Sequence, residues 1–279
     1  MSFWYDGQLV EEDRVGTASA ASLPLDNVGL RFGATVFTTM RVYGDNLQHP
    51  LTQWQAHCDR LTRSIQAFDW TPPSWLSIYK GCEQLKTEYP ILRITLFPDG
   101  REWITGRSSH VTTADRNGIT CWVAPPVYAR SLPMHKTGNY LACWLAKTQA
   151  QKVGAQEAIL TSDQGEWLET STGNLWGWKR SNGEGSWHTP IHNRCLPGIM
   201  RNTLKKILEK TGQPVHLEPW SSHRLVSLLP DFEAMAYSNC VIGLAPIHTI
   251  LNGATTLEYN PEHASIKALQ RQLTQLASH

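Results

Sequence analysis

His135-Lys136-Thr137-Gly138-Asn139-Tyr140 follows a proline-punctuated run, Ala124-Pro125-Pro126 through Leu132-Pro133, and opens a new alternating pattern. Proline fixes φ and removes a backbone donor, so such a run interrupts regular structure and predicts a boundary. It divides the 279 residues into a small N-terminal domain over 1–124, a linker over 125–134 and a larger domain over 135–279. Lys136, followed by small and turn-forming residues, stands at the start of a predicted helix over 139–153. Taken singly it reads as a solvated side chain, since lysines seldom bury without a functional reason.

Working outward, Phe3-Trp4-Tyr5 and Gln8-Leu9-Val10 flank Asp6-Gly7, the sequence signal of a β-hairpin. Trp54, Cys58, Leu61, Ile65 and Phe68 recur at three or four residues, which predicts an amphipathic helix over 51–69 with His57 and Arg60 on its flank. A helix over 74–88, a strand over 91–97 ended by Pro98-Asp99-Gly100, and a strand over 119–124 follow. Beyond the linker the pattern predicts strands near 156–161, 166–169, 174–179, 214–218 and 232–238. Helices are predicted near 199–211 and 262–277. The fold class is therefore mixed α/β (α+β) in two domains.

Composition excludes several classes. With 41% hydrophobic and 18% charged residues the chain is globular, and a net charge of +1 supplies no broad field to hold nucleic acid or a membrane surface. Its partner is expected to be a small molecule captured locally. Six scattered cysteines without a CxxC pair read as reduced thiols, and no leader pattern or run of about 18 apolar residues occurs, so the cytoplasm is the expected compartment. Ser77-x-x-Lys80, Ser162-Asp163-Gln164 and Lys136-Thr137-Gly138 imitate serine β-lactamase signatures in the wrong order. His188, His192 and Cys195 have zinc-like spacing but lack a fourth ligand, so no metal is expected.

Two elements after Lys136 bear on chemistry. Glu169 closes a strand in Glu166-Trp167-Leu168-Glu169 and is followed by a polar turn, where a carboxylate either caps the turn or pairs with a cationic heterocycle. Leu196-Pro197-Gly198-Ile199-Met200-Arg201 leads into a helix. Glycine there lets backbone approach an anion, and the free N–H groups with the helix dipole favour phosphate.

In this order and spacing the pieces resemble the fold-type IV enzymes that use pyridoxal 5'-phosphate (PLP). The resemblance rests on Phe32-Gly33, Phe37-Thr38-Thr39-Met40-Arg41-Val42-Tyr43, His57-x-x-Arg60-Leu61 and Lys136-x-x-Asn139. It extends through Gly154 to Glu157-Ala158, Glu169 with Asn174, Leu196 to Arg201, and Ser238-Asn239-Cys240 with Pro246. It implies Lys136 as the Schiff-base lysine and proton shuttle, Glu169 as partner of the pyridine nitrogen and Arg60 as the phosphate grip. The amides of Ile199, Met200 and Cys240, with Asn174, complete the implied cofactor contacts. Phe32, Arg93 and Arg101 are the substrate-binding candidates, and Thr38 is the candidate catalytic and specificity residue.

Phe37-Thr38-Thr39 is similar to the form in aminodeoxychorismate lyases, where branched-chain aminotransferases tend to carry Phe-Glu-Gly. The resemblance therefore leads first to a lyase that converts 4-amino-4-deoxychorismate to 4-aminobenzoate and pyruvate in folate biosynthesis. An aminotransferase for D-amino or branched-chain amino acids is the alternative, and a non-catalytic member of the fold is a third. Family members are homodimers, so a homodimer is expected.

Overall fold

The computed structural model describes residues 2–11, 20–108 and 117–277, and they form two compact units. The first comprises the described residues through 108 with His135–Asn139 and the last two, 276–277. The second comprises 117–134 and Tyr140–Gln275.

In the first unit, β1 (Phe3–Tyr5) and β2 (Gln8–Val10) form the expected hairpin, with Phe3 opposite Val10 and Tyr5 opposite Gln8. Asp6 and Gly7 turn it with φ of 47° and 80°, the left-handed pair that a two-residue turn demands. A short helix, α1 (Val28–Phe32), is capped by the Asn27 side chain and closed by Gly33 at φ 64°. β3 (Val36–Arg41), α2 (Trp54–Ala67), α3 (Trp75–Leu85), β4 (Ile91–Leu96) and β5 (Glu102–Arg107) complete an antiparallel sheet of order β2-β1-β5-β4-β3. Val36, Met40, Leu92, Ile94 and Ile104 pack with Leu61, Ile65, Ile78 and Leu85 of the two helices into the core. Strand alternation puts Thr38 on this helix-covered face and Phe37 on the other.

The second unit contains β6 (Ile119–Val123), α4 (Leu141–Lys152), β7 (Glu157–Thr161), β8 (Trp167–Thr170), β9 (Asn174–Ser181), β10 (Glu184–Pro190) and α5 (Ile199–Lys210). It continues with β11 (Val215–Glu218), α6 (Ser222–Asp231), β12 (Ala234–Asn239), β13 (Gly243–Asn252), β14 (Thr255–Glu258) and α7 (Ala264–Ala277). The strands make one mixed nine-stranded sheet of order β11-β10-β9-β12-β13-β6-β7-β8, with β14 on β13. β6 runs parallel to both β7 and β13, whereas β12 runs antiparallel to both of its neighbours, β9 and β13. Its core gathers Trp167, Trp220, Phe232, Met235, Tyr237 and Ile247.

The structure divides the chain differently from the proline run. β6, expected in the N-terminal domain, pairs with β7 and β13 of the second unit. Residues 135–139 join the first unit as an added strand-like edge: Phe37 N–H donates to Lys136 O at 2.8 Å and Gly138 N–H donates to Thr35 O at 2.7 Å. Backbone groups at an open edge must find partners, and that demand overrides a boundary read from local composition. Lys136 consequently lies in this extended segment, and the helix begins five residues later at Leu141. β5, β10, β13, β14, α1 and α6 have no counterpart in the sequence reading. Pro246 within β13, Pro190 at the end of β10 and Pro230 inside α6 mask their periodicity, since proline demotes a pattern to loop. Among the described residues no helix is long and apolar enough to cross a membrane.

Candidate active site

In the first unit, the pairing of 136–138 with 35–37 puts Lys136 beside Phe37, with its Nζ 4.7 Å from the centre of the Phe37 ring. Arg93, opposite Thr39 on β4, lays its guanidinium carbon 3.7 Å from the same centre and donates from Nε to Thr95 Oγ1 at 3.4 Å. Two cations thus converge on one aromatic ring, a geometry that suits an anionic or carbonyl-bearing ligand on that face. On the opposite face of β3, Thr38 is wholly buried. Its hydroxyl meets Arg60 Nη2 and stands 2.5 Å from His57 Nδ1. His57 and Arg60 lie inside, not on a flank, because β3 offers them this polar contact. Burial, reinforced by the charges of Arg60 and Lys136, holds the His57 imidazole well below its ordinary pKa, so it is neutral. One turn on, Ser64 Oγ lies 3.0 Å from His135 Nδ1, and Phe68 packs its ring 4.6 Å from that of His135. α2 therefore anchors the residue immediately before Lys136.

Two candidates lie outside this group. Phe32 is 66% exposed at the end of α1. Arg101 is committed to Asp99, with Nε–Oδ2 at 2.9 Å, and donates from Nη1 to Tyr5 Oη at 2.8 Å.

In the second unit, Glu169 is buried, its Oε2 accepting from Leu196 N–H at 3.2 Å and its Oε1 3.5 Å from Arg130 Nη1. Asn174, at the start of β9, donates from Nδ2 to Leu196 O at 3.1 Å. The Glu169 strand and the loop before α5 are thereby held together through both polar groups of Leu196. Gly198 begins α5 with no side-chain cap, and a Cβ there would fall 1.8 Å from Asn174 Oδ1. Only glycine fits, and the first N–H groups of α5, at Ile199 and Met200, have no acceptor within the helix. With the helix dipole they make an anion site.

The turn after Glu169 is built on a second buried carboxylate. Glu157 accepts from Thr172 Oγ1 and Lys147 Nζ at 2.8 and 2.6 Å, and from the Ser171 hydroxyl. Tyr140 Oη donates to Ser171 O at 2.5 Å. Cys240 follows β12 in a tight turn where Asn239 Oδ1 accepts from the N–H groups of Val241 and Ile242, both at 2.9 Å. The zinc-like trio does not come together. His188 lies on β10 facing Glu218, His192 lies 3.8 Å from Glu166, and Cys195 donates its thiol to Leu168 O. Among the described residues no three His, Cys, Asp or Glu side chains are grouped to hold a metal.

The family model for class IV amino-transferases matches residues 35–250, a span that takes in Thr38, Arg60, Lys136, Glu169 and Cys240. The chain belongs to the class IV aminotransferase family. It is similar to a protein of Methanocaldococcus jannaschii described as a putative branched-chain-amino-acid aminotransferase, 35% identical over 94 residues. That match spans 33% of this chain and 31% of the relative. Over the whole chain it resembles the branched-chain amino acid aminotransferase of Escherichia coli, with TM-score 0.78, 20% identity and 99% and 94% of the two chains covered. An enzyme of the same name from T.th., solved with pyridoxamine 5'-phosphate, gives TM-score 0.78 at 17% identity over 99% and 94%. At such identities the likeness is one of fold. It corresponds to the fold-type IV architecture, with a small antiparallel N-terminal sheet and a larger mixed sheet.

Sequence reasoning missed the class IV member's Arg130, which sits among the linker prolines where no periodicity marks it, and Glu157 as the base of the 171–173 turn. His57 was visible as part of a motif, but its bond to Thr38, 19 positions away, was not.

Proposed function

We propose that this chain is a PLP-dependent aminotransferase for a small amino acid and a 2-oxo acid. The cofactor is PLP, and the residues present fit it. The observation that carries the reading is Glu169: a buried carboxylate held by Leu196 N–H in the same loop that opens the uncapped, glycine-gated helix α5. A buried carboxylate suits a protonated ring nitrogen, and an open helix N-terminus suits a phosphate.

When bound, PLP supplies an aldehyde that exchanges with the substrate amine and a ring that accepts the electron pair left at the substrate carbon. Lys136 would hold that aldehyde, and its Nζ would move the proton at the amine-bearing carbon. Glu169 keeps the ring nitrogen protonated. Arg60, a fixed fork donor, would suit a phosphate, as would the amides of Ile199 and Met200 at the start of α5 and that of Cys240. Arg93, flat on Phe37 beside Lys136, takes a substrate carboxylate.

A second reading rests on Phe37-Thr38-Thr39, which is similar to the lyase form: release of 4-aminobenzoate and pyruvate from 4-amino-4-deoxychorismate. One experiment separates the two. Purified protein with PLP is offered amino acids with 2-oxoglutarate in one series and aminodeoxychorismate in the other. Transfer of the amine to 2-oxoglutarate supports the proposal, whereas 4-aminobenzoate with pyruvate and no exchange replaces it with the lyase.

A further inference from the structure

Thr38 is the sequence candidate for touching substrate or cofactor, yet its hydroxyl points to the helix-covered face of β3 and is taken by Arg60 and His57. One assignment of the protons there leaves the fewest polar groups unpaired. Arg60 Nη2 can only donate, so it uses a lone pair of Thr38 Oγ1. Thr38 then has one proton to place, and the acceptor in reach is His57 Nδ1 at 2.5 Å. Were Nδ1 protonated instead, the hydroxyl would accept twice, and both its own proton and the Nε2 lone pair would lack partners among the described residues, in an interior where Thr38 and His57 have no exposed surface, whereas a proton on Nε2 leaves only that N–H unpaired. The His57 ring therefore carries its proton on Nε2, which has no hydrogen-bond partner among the described residues.

From this chain of bonds we infer that His57 is a positioning residue: by accepting the Thr38 hydroxyl proton it turns the Thr38 lone pair onto Arg60 and fixes the direction of the Arg60 guanidinium. Hydrogen bonds in series polarise one another, so the Arg60 contact is stronger for having His57 behind Thr38. A motif histidine three positions before the arginine, on the same helix face, thus acts through a threonine on the neighbouring strand. The neutrality of His57, imposed by burial and by the nearby cations, is what keeps Nδ1 available as an acceptor. Thr38 then serves the anion grip and not the reacting carbon.

This inference rests on the proposal that Arg60 binds the cofactor phosphate, and the test keeps the two apart. The full chain is titrated with PLP and, separately, with pyridoxal, which has the ring and aldehyde but no phosphate. The ratio of the two affinities isolates the phosphate grip from general damage to the fold. His57→Phe, which keeps the ring without an acceptor, should lower PLP affinity about tenfold, a loss typical of one hydrogen bond to a charged group, and leave pyridoxal affinity unchanged. His57→Asn, whose Oδ1 sits close to the place of Nδ1, should restore most of the ratio. Thr38→Val should match His57→Phe, and the double variant should lose no more than either single one. If His57→Phe keeps the wild-type ratio while Arg60→Met collapses it, the positioning role is wrong. If Arg60→Met also leaves the ratio intact, the phosphate assignment of Arg60 itself falls.

Discussion

Gly198→Ala adds one methyl group at the entrance to α5, and its consequences can be worked from the geometry. The backbone there, φ −67° and ψ 133°, is open to any L-residue, so the substitution carries no conformational strain of its own. The new Cβ would lie 1.8 Å from Asn174 Oδ1 and 3.0 Å from its Cγ. Ordinary carbon contacts need roughly 3.5 Å, so the carboxamide must swing away. In doing so it gives up the 3.1 Å bond from Nδ2 to Leu196 O, inside a site where Asn174 is 5% exposed. An unmet buried amide costs about 1–3 kcal/mol and the residual crowding about 1 kcal/mol, giving a loss near 3 kcal/mol. Urea unfolding of the two proteins at equal PLP measures it, and PLP affinity should fall with stability because Leu196 also holds Glu169. Asn174→Ala removes the colliding atoms, so the double variant should be more stable than the sum of the single losses by about 1 kcal/mol or more. A Gly198→Ala protein within about 0.5 kcal/mol of wild type, with unchanged PLP affinity, would refute the packing argument.

Other outcomes follow from the same sites. Lys136→Ala should lower turnover on the order of 10³-fold or more, and borohydride reduction of the variant should no longer fix PLP to the chain, read by intact mass. Glu169→Gln preserves shape but removes the anion from buried Arg130, so unfolding free energy should drop by about 3 kcal/mol together with turnover. An unchanged urea midpoint would mean that Arg130 does not depend on Glu169. Acid stability has a definite sign: burial holds His57 and His188 below their ordinary 6.5, so the native protein binds fewer protons than the unfolded chain. The contribution of these two histidines should be level above about pH 7 and decline as pH falls through 6.5 and below, and His188→Asn should flatten part of that decline in melting curves. Gly106→Ala should destabilise the first unit by about 2 kcal/mol, because its Cβ would overlap the buried Tyr89 ring at 2.1 Å; an unshifted melting temperature contradicts this.

Much of the site was legible because each of its parts has a local signature. The 51–69 periodicity located α2, Asp6-Gly7 located the hairpin, and Pro197-Gly198 before an apolar repeat located the α5 entrance. Lys136, Arg60 and Glu169 were singled out by the resemblance to the fold-type IV pattern, in which their order and spacing match. Side-chain partners were not legible in the sequence. Arg101 looked like a carboxylate receptor from its place beside a turn, yet Asp99, two residues away, occupies it. Phe32, a substrate-binding candidate, is mostly exposed at the end of α1.

By itself the sequence determined which segments are helix or strand wherever periodicity is strong, and which residues carry reactive groups, because side-chain spacing along a helix or strand is a property of neighbours in the chain. Tertiary structure alone decided that 135–139 pairs with 35–37, that β6 belongs to the larger sheet, and that Thr38 faces His57 and Arg60. Edge pairing and the face a strand presents depend on segments far apart in sequence, brought together by the need to satisfy backbone donors and bury apolar surface at once. Lys136 was recognisable from its neighbours in the chain; its place beside Phe37 came from that distant pairing.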